Sequence, residues 1–160
     1  MKQQHKRRKP AAAPQILNRR ARFDYALEDE LTAGLVLTGR EVRAARDGQV
    51  QLKGAFVSIR NHELWLNNAS FSLKLNERGN ANARTIDTSP KKLLVSSKER
   101  TALLEKKQQG YSIIPIKLLT GDRFIKLVIA TGKGKKLHDK RETIKRRDSE
   151  RDAKRAMARY

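Results

Sequence analysis

Tyr111-Ser112-Ile113-Ile114-Pro115-Ile116-Lys117-Leu118-Leu119-Thr120 and Arg123-Phe124-Ile125-Lys126-Leu127-Val128-Ile129-Ala130 flank Gly121-Asp122. Two apolar arms about a Gly-led turn spell a β-hairpin, and Gly at the first turn position favours type II′. Pro115 has no N–H to give a ladder, so its arm belongs at an edge or a bulge there. Working outward, Ala33–Thr38 is a short apolar run ended by Gly39. Ala55, Val57 and Ile59 alternate with Phe56, Ser58 and Arg60, the pattern of a strand with one buried face. Leu64-Trp65-Leu66 follows the polar Asn61-His62-Glu63 as the return arm of a hairpin, and Lys92–Val95 is a further strand. Two capping boxes, Thr38-Gly39-Arg40-Glu41 and Ser96-Ser97-Lys98-Glu99, each open a helix that Gly48 and Gly110 end. About six short strands with two helices predict a mainly β fold, a small antiparallel barrel. Asn76–Pro90 reads as a surface loop, and the sequence contains no internal repeat.

Composition limits the function. The chain has 160 residues, with 37 Lys and Arg against 17 Asp and Glu, a net charge of +20. That length holds one core with a tail. No apolar run approaches the roughly 18 residues that span a bilayer, so no membrane partner is expected. The basic start lacks the apolar stretch of a secretory signal. The absence of Cys excludes disulfides, thiolate metal sites and a cysteine nucleophile, and a cytoplasmic setting is the expectation. The charge is uneven. Residues 1–25 hold eight basic residues against one acid and residues 131–160 hold twelve against five, so two short ends carry +14 of the +20. After residue 130 the only branched aliphatics are Leu137 and Ile144. Such a segment buries too little apolar surface to offset its ordering entropy. The chain therefore divides into a basic flexible N-terminus (1–15), a barrel (16–131) and a basic tail (132–160).

Signs of catalysis are missing. His5, His62 and His138 are scattered, and no metalloprotease, serine-hydrolase or P-loop pattern occurs. Gly132-Lys133-Gly134-Lys135 has the composition of a phosphate loop, but Lys136 stands where the hydroxyl residue should be, so it reads as a flexible basic hinge. Glu28-Asp29-Glu30 lie on a strand, where consecutive side chains face opposite ways and cannot all converge on one ion. They read as a solvated acidic stretch. Neither an enzyme nor a cofactor is expected.

The basic clusters point to a polyanion. Asn18-Arg19-Arg20-Ala21-Arg22-Phe23-Asp24-Tyr25 sets guanidinium groups beside aromatic rings just before a strand. Arg binds phosphate bidentately and stacks on bases, as aromatic rings do. Phe23 and Tyr25 would share one strand face, which leaves both a core and an RNA reading open for them. Lys91, Lys92 and Lys126, with Lys133 of the hinge, extend the positive surface or simply stand in solvent. The tail has no helix breaker after Gly134, and Glu142–Arg146 and Glu150–Lys154 are i,i+4 pairs worth about 0.2–0.5 kcal/mol each. Those gains do not overcome nucleation and repulsion among the cations. The tail is therefore predicted to be disordered when free and to become helical on a polyanion.

Three blocks together resemble the SsrA-binding protein family, also called small protein B, the partner of transfer-messenger RNA in bacterial trans-translation. They are Asn18–Tyr25, Ala33–Arg43 (AGLVLTGREVR), and Gly134–Arg141 (GKKLHDKR) followed by Ile144-Lys145. Lys91-Lys92-Leu93-Leu94 and Gly110-Tyr111 fall between them in matching order. The resemblance implies an oligonucleotide-binding (OB-type) barrel that grips the tRNA-like part of transfer-messenger RNA, and a tail that becomes helical in the decoding region and empty mRNA path of a stalled ribosome. On that basis Asn18, Arg19, Arg20, Arg22, Arg40 and Glu41 join the RNA surface with Tyr25, Lys91, Lys92, Lys126 and Lys133. The ribosome-reading tail residues are Lys135, Lys136, His138, Asp139, Lys140, Arg141 and Lys145. The expected partners are transfer-messenger RNA and ribosomal RNA, and the protein is expected to be a monomer. A basic structural ribosomal protein is the alternative, and a metal-dependent nuclease using Glu28, Asp29 and Glu41 a more distant one. The sequence departs from the family pattern at Thr32, where members often carry Glu, and at Ile129-Ala130-Thr131-Gly132, which is expected to loosen the junction between barrel and tail.

Overall fold

The computed structural model describes residues 15–75, 83–121 and 123–157. The N-terminal arm expected over residues 1–15, apart from Gln15, lies outside the described residues. So do residues 76–82 of the expected loop and Asp122 of the expected turn. The elements run β1 (Gln15–Leu17), α1 (Ala21–Asp24), β2 (Tyr25–Leu35), α2 (Gly39–Arg46), β3 (Val50–Gln51), β4 (Phe56–Arg60), β5 (Glu63–Asn67), β6 (Ser70–Lys74), β7 (Arg84–Asp87), β8 (Lys91–Leu94), α3 (Ser97–Gln108), β9 (Ser112–Thr120), β10 (Ile125–Gly134) and α4 (Leu137–Met157). The larger sheet orders as β1-β9-β10-β2-β8-β5-β4, and a pairing of β4 with β9 through Val57 and Ile113 closes it. Every pairing is antiparallel. The expected antiparallel barrel with short flanking helices is thus present. A small second sheet, β3-β6-β7, packs beside it under α2.

The hairpin quoted first forms as β9 and β10, but its loop is longer than two residues, because Thr120 pairs with Ile125. Beside Pro115 the register slips: Lys117 faces Val128 while Pro115 faces Ile129, so β9 carries one extra residue at Ile116. This bulge switches the parity of the strand. Ile114 and Ile116 pack outside the barrel on Ala21, Val128 and Ala130, whereas Leu118 returns to the main core with Leu127 and Ile129. β10 is buried on both faces from Val128 to Ala130 for that reason. A second irregularity lies in the β2–β10 ladder, where Ala130 pairs with Glu30 but Gly132 with Leu27. β2 therefore holds an extra residue near Glu28 and Asp29, and Leu27 packs outside while Leu31 packs against the main core.

Both capping boxes form, with Glu41 and Glu99 accepting from the backbone N–H of Thr38 and Ser96. Gly48 and Gly110 follow the two helices at φ +71° and +83°, the left-handed conformation that glycine adopts without strain. Asn61 and His62 sit at φ +49° and +61° between paired Arg60 and Glu63, a two-residue hairpin loop.

Three local readings need correction. Phe23 is not on a strand, because residues 21–24 close a single helical turn, so Phe23 and Tyr25 do not share a strand face. The stretch 76–90 is not all loop, since Arg84–Asp87 pairs with β6. The junction after residue 130 is not loosened: β10 continues to Gly134, opposite Tyr25. Gly132 permits this, because a Cβ there would lie 2.6 Å from the Ala26 carbonyl oxygen. Next to it, the Thr131 hydroxyl is buried with no hydrogen-bond partner among the described residues. Thr131→Val keeps the shape and removes the orphan hydroxyl. It should raise unfolding free energy by about 1 kcal/mol in a urea titration.

Candidate nucleic-acid interface

The Asn18–Tyr25 segment is held to the barrel wall by Asn18. Its backbone N–H donates to the Ile116 carbonyl at 2.7 Å and its side-chain amide to the Pro115 carbonyl at 2.9 Å. Pro115 and the bulge leave those carbonyls to an outside partner. Asn18 is only 8% exposed, so its amide is spent on the fold and it positions the neighbouring arginines instead of meeting RNA. Ala21 is buried against the outer cluster. The turn α1 then projects Arg19, Arg20 and Arg22 into solvent. Arg20 lies 3.6 Å from Asp24 and Arg22 3.4 Å from Glu30, but both side chains remain more than 60% exposed. Such exposed pairs hold a side chain weakly, and a phosphate can take their place.

Beside α1 opens a cleft of about 590 Å³, lined by Arg20, Tyr25, Lys53, Phe56, Lys107 and Tyr111 among others. Lys133 Nζ stands 4.5 Å from the Tyr111 ring centroid. Cations and rings together suit phosphates and unstacked bases. Lys53, Phe56, Lys107 and Tyr111 were not among the expected site residues. Phe56 left a signal, as the aromatic residue on the solvent side of an alternating strand, and it is 50% exposed. The two lysines left none, because only the β4–β9 closure brings them together.

Other expected residues fall elsewhere. Lys126 is exposed opposite Gly34, whereas Lys133 is opposite Ala26, roughly 23 Å away along the strand at about 3.3 Å per residue. The two do not share one patch. Lys92, half-buried on β8, pairs with Glu63. Lys91 and Glu41 are not on the positive surface at all, with side chains only 7% and 6% exposed. Lys91 Nζ donates to Glu41 Oε1 at 2.5 Å, Asp87 Oδ2 at 2.6 Å and Ser89 Oγ at 2.6 Å. Burial opposes its charge, yet the bonds to Asp87 and Glu41 outweigh that and hold its pKa above the ordinary lysine value. The bond from Lys91 in turn pulls the Asp87 carboxyl far below the ordinary range. This ion cluster ties α2, β7 and β8 together. Arg40 stays exposed on α2 and donates to the Lys74 carbonyl at 2.9 Å.

The acidic stretch is exposed, as expected of a solvated one, but two of its three carboxylates share a cation. Glu28 and Asp29 both reach Lys106 Nζ, at 3.2 and 3.3 Å. Strand alternation would forbid that convergence, and the bulge at this point permits it. The Glu28 and then the Asp29 hydrogen bond hold the Lys106 pKa above its ordinary value. Glu41 is bound to Lys91 instead, and among the described residues no three acidic or His side chains form a metal site.

The tail leaves β10 and forms α4, none of whose residues is buried. Its root returns to α1. Lys135 N–H donates to the Asp24 carbonyl at 2.8 Å, Lys135 Nζ to the Arg22 carbonyl at 3.1 Å, and Lys140 Nζ pairs with Asp24 at 2.9 Å. Lys140 and Arg147 stand 6.0 and 5.8 Å from the Phe23 ring centroid. Lys136 N–H donates to Asp139, and His138 is 87% exposed in its side chain. Lys136, Arg141 and Lys145 face solvent. The helix's own ion pairs are Arg146–Glu150, Asp148–Arg151 and Asp152–Arg155, not the two expected. No described helix is long and apolar enough to cross a membrane.

Comparison with known proteins agrees with this layout. A family profile described as "SmpB protein" matches residues 15–159. An SsrA-binding protein of Shouchella clausii (strain KSM-K16) is 43% identical over 141 residues, covering 88% of each chain. One of Streptococcus pyogenes serotype M49 (strain NZ131) is 43% identical over 145 residues, covering 89% of this chain and 91% of its own. A chain from the solved structure "tmRNA-SmpB: a journey to the center of the bacterial ribosome" superposes with a TM-score of 0.62 at 32% identity, over 78% of this chain and 87% of its own. With the match running over nearly all of its length, the chain belongs to the SmpB, or SsrA-binding, protein family.

Proposed function

We propose that this protein is an RNA-binding adaptor of trans-translation. Its barrel binds the tRNA-like domain of transfer-messenger RNA and delivers it to stalled ribosomes, where its tail reads the empty decoding site and mRNA path. The observation that carries this is the placement of charge in a chain of this family. One basic surface is fixed to the barrel wall by Asn18, and another runs along a helix that buries nothing. Arg19, Arg20 and Arg22, with Tyr25 and Lys133, are the grip on the first RNA. Lys135, Lys136, His138, Asp139, Lys140, Arg141 and Lys145, at the root of α4 and along it, are the contacts to ribosomal RNA. No step of this role makes or breaks a covalent bond, and its place is the cytoplasm with the ribosomes.

The test is a salt titration of binding to the isolated tRNA-like RNA. Affinity should fall steeply with salt. Arg19→Gln, Arg20→Gln and Arg22→Gln together should flatten the slope of log K against log salt by about 0.7–0.9 for each phosphate no longer neutralised. Duplex DNA of equal length should compete poorly. Equal competition by that DNA would overturn the reading.

A further inference from the structure

The turn α1 and the root of α4 are both strongly basic, yet they touch. Arg20 and Arg22 stand at one, and Lys135, Lys136, Lys140 and Arg141 at the other. Like charges this close repel, so specific contacts must hold the two together. Barrel folding is not the reason, because α4 buries none of its residues.

Three sets of contacts supply the hold. The Asp24 carboxylate takes Lys140 Nζ at 2.9 Å and Arg20 at 3.6 Å, so one anion serves a cation from each element. The Lys140 and Asp24 side chains are half-buried, which makes theirs a firmer pair than an exposed one. The Phe23 ring centroid lies 6.0 Å from Lys140 Nζ and 5.8 Å from the Arg147 guanidinium, and a ring face attracts cations at that range. The Asp24 and Arg22 carbonyls, at the end of the single turn, accept from Lys135. Lys140, Thr143 and Arg147 are spaced i, i+3 and i+7, one face of a helix. Lys140 and Thr143 are half-buried, whereas residues 141 and 142 between them are exposed. That face is the one turned to α1.

The same contacts start the helix. A helix must form its first turn at a net cost before each further residue repays it. Here the Lys136 N–H donates to Asp139 at 3.1 Å, half of a capping box, and Lys135 is tied to Asp24 and Arg22. The first turn is therefore assembled on α1 by the protein's own contacts. The arrangement has a consequence for Lys140, whose ammonium cannot rest on Asp24 and reach for a phosphate elsewhere at the same time.

We propose that Phe23 and Asp24 form a parking site for the tail, an autoinhibitory contact that withholds Lys140 and Arg147 from ribosomal RNA until its phosphates outcompete Asp24. The proposal rests on the RNA-adaptor reading, because that reading supplies the ribosomal RNA for which the tail is held back.

The experiment uses the full chain as parent, Phe23→Leu, Phe23→Tyr and Asp24→Asn. The first readout is amide hydrogen exchange along residues 140–147, with the amides of β9 and β10 as the internal control for folding. Phe23→Leu and Asp24→Asn should each lower protection in the tail by about three- to tenfold and leave the barrel amides unchanged. Phe23→Tyr keeps the ring face and should match the parent. The second readout is binding to isolated small ribosomal subunits, without transfer-messenger RNA, at about 100 mM KCl. Phe23→Leu should bind them about threefold more tightly than the parent, because less of the tail is held in the parked state. Phe23→Leu alters no charge, so added electrostatic attraction cannot produce that gain, and misfolding would weaken binding instead. Unchanged tail protection, or subunit binding that is unchanged or weaker, refutes the parking site. If the parent and Phe23→Leu then still bind the tRNA-like RNA equally, the adaptor reading stands without it. Weaker binding of the tRNA-like RNA by Phe23→Leu would make Phe23 a base-stacking residue and overturn the proposal. If the parent binds neither that RNA nor the subunits, the adaptor reading fails and the proposal falls with it.

Discussion

Lys91→Met should lower the unfolding free energy by about 3–5 kcal/mol, measured by urea titration at pH 7. The change is nearly isosteric, so little packing is lost. What disappears is the cation hydrogen-bonded to Glu41, whose side chain is 6% exposed and cannot turn to water for compensation. A small domain has about 5–15 kcal/mol in all, so this one ammonium decides whether α2 stays docked. A second change separates charge from packing. Lys91→Met/Glu41→Gln leaves an acceptor for the Thr38 N–H, which Glu41 Oε2 meets at 2.7 Å in the parent, and removes the stranded charge. It should recover more than half of the loss.

The pH dependence of the two proteins should run in opposite directions. In the parent, the Asp87 pKa is depressed, so its contribution is complete above the ordinary carboxylate value of 3.8 and is lost as pH falls from there. The Lys91 pKa is raised above 10.5, so its contribution is complete below that value and is lost as pH rises past it. The parent should therefore be flat between those limits and weaken outside them. In Lys91→Met the Glu41 carboxylate is buried without its cation, and the variant should gain stability as pH falls from 7 toward 5. A variant that lost stability over that interval would show that Glu41 had found another partner.

The barrel was legible because β-hairpin chemistry is local. Turn residues, alternation and the two capping boxes each announce themselves within ten residues, and each agreed with the others. Pro115 also foretold its bulge. What escaped was set by pairing over long distances. β7 carries the exposed residues Arg84, Thr85 and Ile86, so no alternation marks it, and only β6 makes it a strand. Lys91 looked like a surface cation because nothing near it in sequence states that Glu41, fifty residues earlier, folds over it. The same limit hid the meeting of Glu28 and Asp29 at Lys106, since strand alternation holds until a bulge suspends it. Among the expected site residues, those on α1 and the tail were found in solvent. Those that proved buried, Asn18, Glu41 and Lys91, share a polar identity that serves equally to grip RNA or to hold two elements together, and sequence carries no mark that separates the two uses.

Ending the chain after Gly134 should leave binding to the tRNA-like RNA within about threefold at 200 mM salt, where distant charges are screened, yet reduce rescue of stalled ribosomes to background. The cut site matters. Lys133 and Gly134 pair with Ala26 and Tyr25, so a cut after Gly132 would strip the ladder beside α1 and damage the RNA grip for a trivial reason. Beyond Gly134 the tail contributes nothing to the core, and its hold on α1 is a few exposed or half-exposed polar contacts of Lys135 and Lys140 with a ring contact at Phe23. Pairs of that kind are worth about 0–1 kcal/mol each, too little to keep a 21-residue helix docked against a competing polyanion. Asp24→Asn should loosen that hold further without touching rescue, because in the proposed role the tail works on the ribosome and not on α1. Loss of RNA binding and of rescue in equal measure on truncation would mean that α4 and α1 form one continuous RNA surface, and the division between a gripping barrel and a reading tail would have to be abandoned.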